Sequence, residues 1–239
     1  MHTARFLPMS ASSDRSVSVA SVVGLVVVIA VVDVMTTRVL SAVLDPFFRA
    51  GVILGFLLWA RRYAGLSWDE LGCARDKVGS GFRWGLLAML LLGAIIIVAV
   101  AIPGTRSYFE NRGVRHESTL SHVLEPLVVI PFATVLFEEL IFRGVLLGAL
   151  LRVTTRMRAV IYCSIAFGLW HIPPALSAAK GKESLAAVGI VGGTIAFTTA
   201  AGVLFSWLRL RSGGLLAPIM AHIASNSFAY IGALIVLDA

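Results

Sequence analysis

The sequence predicts an all-α fold, a polytopic bundle of about seven transmembrane helices, and three observations carry that expectation. Hydrophobic residues make up 58% of the 239 positions and charged residues only 14%, and the mean hydropathy is +0.91. A soluble domain of this length would need far more polar surface to cover itself. Several apolar stretches also approach or exceed the ~20 residues that cross a bilayer as helix. Finally, the basic residues gather in the short connections between those stretches, the usual pattern of loops that meet anionic headgroups.

The elements follow in order. Residues 1–16, with Arg5 and Arg15, form a polar tail, read as cytoplasmic. The apolar run 17–32 ends at Asp33 without a small-residue cleavage pattern, so it reads as a first membrane helix rather than a signal peptide. A second span covers 47–60. Ser67 and Glu70 then stand at capping-box spacing, which predicts a short helix lying at the interface. The third span, 84–102, is ended by Pro103 and Gly104. A polar connection, 104–122, holds His116 and His122. Their six-residue separation is not the i, i+4 spacing of a zinc helix, so both read as solvated loop histidines.

The fourth span, 123–151, is long, and Pro126 and Pro131 are its expected kinks. The fifth, 159–172, is closed by Pro173 and Pro174; the sixth covers 185–208 and the seventh 215–237. Gly189 and Gly193 stand at GxxxG spacing, which predicts close helix packing. This divides the chain into a tail, N-terminal membrane helices with an interfacial segment (17–122) and a membrane core (123–239).

The net charge of +7 would raise nucleic acid as a partner in a soluble protein. Here the lipid bilayer is the partner that the charge placement predicts, and nucleic acid is not expected. Alternating the connections puts more of the arginines on the side of the N-terminus, which predicts that end inside. Cys73 and Cys163 make neither a disulfide framework nor a metal cluster and read as structural.

Against this background the stretch 137–144, FEELIFRG, is anomalous. Ionisable groups at mid-membrane cost roughly 2.5–3.5 kcal/mol each, so they persist where they pair or line a wet cavity. Glu138, Glu139 and Arg143 lie in the fourth span, Phe167 and His171 at the end of the fifth, and His222 and Asn226 in the seventh. At 1.5 Å per residue, Glu139 and His171 sit roughly 18–20 Å from the same membrane face, His222 roughly 10 Å and Asn226 roughly 16 Å. Three helices thus place polar groups in one overlapping layer. Glu139 and Arg143 are i, i+4 and share a face, as do His222 and Asn226. Glu138 is rotated about 100° from Glu139, so one carboxylate pairs with the arginine while the other faces the cavity. A carboxylate, two histidines and an amide offer a base, a proton relay and oxyanion donors. None of these segments offers a Ser or Cys nucleophile beside a base, so an attacking water fits best.

Glu138-Glu139-x-x-x-Arg143, Phe167-x-x-x-His171 and His222-x-x-x-Asn226 resemble, in order and spacing, the three signature motifs of the CPBP family. This family, also called the ABI or CAAX protease and bacteriocin-processing family, contains intramembrane endopeptidases similar to type II CAAX prenyl proteases. The resemblance covers roughly residues 123–230. It implies hydrolysis of peptide bonds in membrane-associated proteins or peptides. Glu138 would activate water with help from His171, His222 and Asn226 would stabilise the oxyanion, and Glu139 with Arg143 would form a supporting ion pair. Phe167 would pack under His171.

The resemblance implies no cofactor. Two histidines and a glutamate are also an adequate zinc set, so a zinc-dependent version of the same protease stays as the alternative. Two other classes remain beside it, a proton-coupled transporter and a non-catalytic immunity or scaffold protein. The plain Ala- and Val-rich composition points to a bacterial cell membrane. Leader peptides, bacteriocin-like peptides or membrane-protein tails then fit better as substrates than prenylated proteins. Oligomeric state is not written in the sequence.

Overall fold

A computed structural model describes residues 17–41, 43–110 and 118–238, which are helical with no strand among them. The helices are α1 (Val19–Val34), α2 (Asp45–Leu58), α3 (Val78–Ala101), α4 (Pro103–Glu110), α5 (Thr119–Val153), α6 (Arg156–Trp170), α7 (Ile172–Ala178), α8 (Ser184–Ser212) and α9 (Leu216–Asp238). Six stretches are long and apolar enough to cross a membrane: Val19–Thr37, Arg75–Ala101, Thr119–Val153, Arg156–Ala178, Ser184–Ser212 and Leu216–Leu237. The expected span at 47–60 is present as α2, prolonged by a wide turn at Trp59–Tyr63. It carries Asp45, Arg49, Arg61 and Arg62 and is not among the six, so the count of seven remains an expectation.

The burial pattern is that of a membrane bundle. Large apolar side chains such as Leu90, Ile97 and Phe132 point outward, at 62, 71 and 66% exposure, while Glu139 and Arg143 are fully enclosed. Lipid replaces water as the solvent for the apolar surface, so the interior is free to hold polar groups that satisfy one another.

Local chemistry fixes the helix ends. Ser18 caps α1 by accepting from the Ser21 amide (3.1 Å), Ser118 caps α5 by the same contact with Ser121 (3.2 Å), and Thr155 caps α6. Gly213 (φ +79°) closes α8 in the left-handed conformation that lets the chain turn into α9.

Helix α5 runs unbroken through both prolines. It opens into wide i→i+5 turns from Glu125 to Val135 and again from Leu140 to Leu146. In that pattern the Pro126 carbonyl would look to residue 131 for its donor, and Pro131 has no N–H. The Ser227 hydroxyl on α9 supplies it instead, at 2.7 Å. The sequence-level kinks are therefore widened turns, with a freed carbonyl satisfied by a neighbouring helix.

The segment around Ser67 departs from expectation. The capping exchange is present, Ser67 N–H to Glu70 Oε2 at 2.7 Å and Glu70 N–H to Ser67 Oγ at 3.2 Å. It caps one hydrogen-bonded turn, 68–72, which does not continue into an interfacial helix; the chain next becomes helical at Arg75–Lys77, leading straight into α3. Gly72 (φ +80°) stops the turn, and the Arg209 guanidinium fills the space that a β-carbon there would need. Arg209 donates to the carbonyls of Asp69 and Glu70 (both 3.0 Å), and Arg152 holds the Glu70 carboxylate with two bonds, at 2.6 and 2.8 Å. The Glu70 carbonyl would lie 2.9 Å from a β-carbon at Gly148 of α5, so this turn is seated directly on the helix that carries the motif glutamates.

Two further expectations change. A β-carbon at Gly189 or Gly193 would meet nothing within 4 Å, so this GxxxG face is uncovered among the described residues. Close packing of α8 occurs lower down, where Gly202 lies against Ser164 and Gly168 of α6 lies against Thr199. His122 belongs to α5 rather than to a loop, and it is half-buried there; His116 lies outside the described residues. Cys73 and Cys163 are both free thiols, as expected, and Cys163 donates to the Phe142 carbonyl at 3.2 Å.

Candidate active site

The glutamates reach the bundle centre because α5 runs through its middle. Glu138 is 6% exposed, while Glu139 and Arg143 are 0% exposed. One turn apart on α5, Glu139 Oε1 and Arg143 form an ion pair at 3.0 Å. The same oxygen meets His222 Nδ1 of α9 at 2.9 Å, so one carboxylate oxygen ties two helices. A carboxylate paired with an arginine accepts hydrogen bonds, which places a hydrogen on Nδ1 of His222. Its Nε2 then faces Glu138 Oε2 at 3.8 Å, and that oxygen is buried without a hydrogen-bond partner among the described residues. The other oxygen of Glu138 accepts from the Trp170 indole at 3.1 Å.

Aromatic side chains enclose these charges. The Arg143 guanidinium stands 4.0 Å from the Phe167 ring centre and 5.2 Å from that of Phe205. Phe205 stacks on the His222 ring at 4.8 Å, and Phe167 meets His171 edge-on at 4.7 Å and His222 at 5.7 Å. Phe167 packs against His171 as the motif implies, and it also faces the buried cation and the second histidine.

The sequence-named residues come together in part. Glu138, Glu139, Arg143 and His222 form one contact group. His171 sits where α6 passes into α7, and its Nδ1 is taken by the Phe167 carbonyl at 2.8 Å, leaving Nε2 as the available nitrogen. It lies one residue from Trp170, which does touch Glu138. Asn226 lies one turn beyond His222, half-buried, with its side-chain oxygen accepting from Ser225 at 3.4 Å.

A zinc set of Glu138, His171 and His222 would require all three donors within about 2 Å of one point. Among the described residues no three His, Cys, Asp or Glu side chains are grouped in that way.

The sequence reading missed Trp170, Phe205, Asp33 and Arg49. Trp170 adjoins a motif histidine and carries a donor into an apolar stretch, which was a usable signal. Phe205 is one aromatic among many in α8 and gave none. Asp33 is 7% exposed on α1 and lies within electrostatic reach of Glu138 and Arg49. Arg49 pairs with Asp45 at 2.6 Å and stands over the Phe137 ring at 4.9 Å. Both N-terminal helices thus approach the α5 segment that carries the motif glutamates.

Residues 120–228 match the family model described as type II CAAX prenyl endopeptidase Rce1-like, and every motif residue named above lies inside that range. The chain is 24% identical over 164 residues to the Bacillus subtilis (strain 168) protein named "Putative membrane peptidase YdiL", an alignment covering 66% of this chain and 58% of that one. It is 34% identical over 92 residues to CAAX prenyl protease 2 of Arabidopsis thaliana, covering 37% of this chain and 30% of that one. The chain thus spans less than two thirds of the length of either relative. No solved structure matches it. Over residues 120–228 the chain is thus similar to the Rce1-like, type II CAAX prenyl endopeptidase family.

Proposed function

We propose that the chain is an intramembrane endopeptidase that hydrolyses peptide bonds of membrane-associated proteins or peptides, using a water activated by Glu138. The observation that carries this reading is the meeting of Glu138 Oε2 and His222 Nε2 at 3.8 Å in a buried, aromatic-walled site. Glu139 holds the histidine from behind, at 2.9 Å.

In this mechanism the unpartnered oxygen of Glu138 takes a proton from water as the water oxygen attacks the scissile carbonyl carbon. The Trp170 indole fixes the other oxygen and with it the plane of the carboxylate. In the protonated His222 ring both nitrogens donate, Nδ1 to Glu139 and Nε2 to the oxyanion of the tetrahedral intermediate. The Asn226 amide adds a second donor from the same helix face. Glu138 then delivers its proton to the leaving amine as the C–N bond breaks, which returns the site to its starting state. Burial away from water strengthens each of these electrostatic contacts. His171, adjacent to Trp170, offers Nε2 to the attacking water.

The names of the relatives support a substrate held at the membrane. A cytoplasmic N-terminus in a bacterial cell membrane is part of the same reading, supported by the distribution of arginines among the connections.

The test is cleavage of a membrane-anchored reporter peptide by the purified full-length chain in liposomes. Glu138→Gln is expected to lower the rate about 10²–10⁴-fold, the usual worth of a general base, with the melting temperature little changed. Cleavage at the wild-type rate in a folded Glu138→Gln protein would overturn the assignment.

A further inference from the structure

On the side of α9 that faces away from the catalytic group, α3 and α9 make a second feature. They pack closely where a β-carbon at Gly93 would lie 3.0 Å from Phe228, and one at Gly232 would lie 2.9 Å from Val100. Beside that contact runs an open trench of about 460 Å³, lined by Ile97, Val100, Phe228, Ile231, Ile235 and, at one end, Arg106. Ile97 and Ile235 are 71 and 55% exposed, so nothing among the described residues covers the trench.

Arg106 stands five residues past the end of α3, in the first turn of α4, which sets it at headgroup depth once α3 crosses the hydrocarbon. Its Nε donates to the Val100 carbonyl at 3.1 Å, which fixes the guanidinium at the trench mouth. Among the described residues no carboxylate pairs with it, and the rest of its donors are open to the exterior.

We infer that this trench binds an anionic phospholipid, with an acyl chain along the isoleucines and the phosphate on Arg106. An apolar channel ending in a fixed cation is complementary to a molecule with a long apolar chain and an anionic head. A partner's membrane helix fits less well, because close helix contacts use small residues and this lining is bulky and branched. Phe228 lies two residues beyond Asn226, so the lipid braces the helix that carries His222 and Asn226.

The experiment uses the full-length chain purified in neutral detergent and titrated with dioleoyl phosphatidylglycerol or dioleoyl phosphatidylcholine. Retained lipid is counted by native mass spectrometry and the melting temperature is followed in parallel. Wild type is expected to retain one phosphatidylglycerol and to melt higher with it than with phosphatidylcholine. Arg106→Gln is expected to weaken phosphatidylglycerol binding about fivefold, the worth of about one basic residue at a membrane surface, while Arg106→Lys retains most of it. Ile97→Trp, which fills the trench at a lipid-facing position, is expected to lower retention of both lipids. Equal retention of the two lipids by wild type would overturn the inference. So would phosphatidylglycerol binding that Arg106→Gln leaves intact, or a second protein copy held at this face in place of lipid.

Discussion

Two arginine–glutamate pairs in this molecule are chemically alike and physically opposite. Glu139 and Arg143 meet at 3.0 Å with both side chains fully enclosed, four residues apart on one helix. Glu70 and Arg152 meet at 2.6 Å with about a third of each side chain exposed, 82 residues apart. The first pair is preset by the helix, so its geometry costs little, yet each charge was taken out of water and each depends on its partner. The second pair is assembled only when the fold brings the 67–72 turn onto α5, and water competes with it throughout. The enclosed pair holds the electrostatics of the site, because its carboxylate also holds His222. The exposed pair is one strand of a clamp that includes Arg209 and the backbone bond from Leu215 N–H to the Gly72 carbonyl at 2.9 Å.

The sharpest way to break this contrast is to remove one member of the enclosed pair. Arg143→Ala leaves Glu139 buried and uncompensated, and is expected to destabilise the protein by about 3–5 kcal/mol. Reversible unfolding in mild detergent, followed by denaturant or force, would measure it. Removing both charges, as Glu139→Gln with Arg143→Met, is expected to recover most of that loss, since a buried ion pair replaced by uncharged groups of similar volume is often neutral. Cleavage is expected to stay lost in the double variant, because the His222 ring no longer has an ionised carboxylate to hold it. Recovery of both stability and cleavage would mean that the pair is glue alone.

A smaller effect tests the contact that sequence reading passed over. Trp170→Phe keeps the aromatic wall and removes the indole donor from Glu138. A hydrogen bond to a charged group is worth about 1.5–3 kcal/mol, so the proposed cleavage is expected to slow about 10- to 100-fold. Binding of an uncleaved peptide, measured in parallel, is expected to be unchanged. An unchanged turnover would show that Glu138 is positioned by its helix and by His222 alone.

The enclosed pair was legible in the sequence for the same reason that it is preset: i, i+4 spacing on a helix is a local rule, and Glu139 with Arg143 needed no knowledge of the fold. Helix length and rise also predicted that the fourth and seventh spans would bring Glu138, Glu139 and His222 to one depth, and these three do meet, while His171 is joined to them through Phe167 and Trp170. What required coordinates was everything set by rotation about helix axes. Glu139, rather than Glu138, takes His222 Nδ1. The Phe205 ring lies on His222, and Asp33 comes within reach of Glu138 from α1. No residue spacing encodes those rotations, because they depend on how helices far apart in sequence settle against one another. The capping signal at Ser67 and Glu70 was read correctly as hydrogen bonding and wrongly as a helix. The left-handed Gly72, required by the approach of Arg209 from α8, is a tertiary cause that local propensity does not contain.

The exposed pair makes the last and smallest prediction. Arg152→Ala is expected to cost about 0.2–1 kcal/mol at neutral pH, the range for exposed ion pairs. Its signature is the pH dependence. The hydrogen bonds from Arg152 are the largest influence on the Glu70 carboxyl and lower its pKa from 4.5 to about 2, against desolvation by burial. A carboxyl lowered on folding stabilises the protein fully above its unfolded value and loses that contribution as acid protonates the folded state. Wild type should therefore lose stability progressively between about pH 4.5 and pH 2, and Arg152→Ala should flatten that part of the profile. Salt should shrink the difference between the two proteins at neutral pH, since both side chains face water. The enclosed pair should not respond to salt, and the same titration on the Arg143→Ala protein would show whether exposure alone accounts for the contrast.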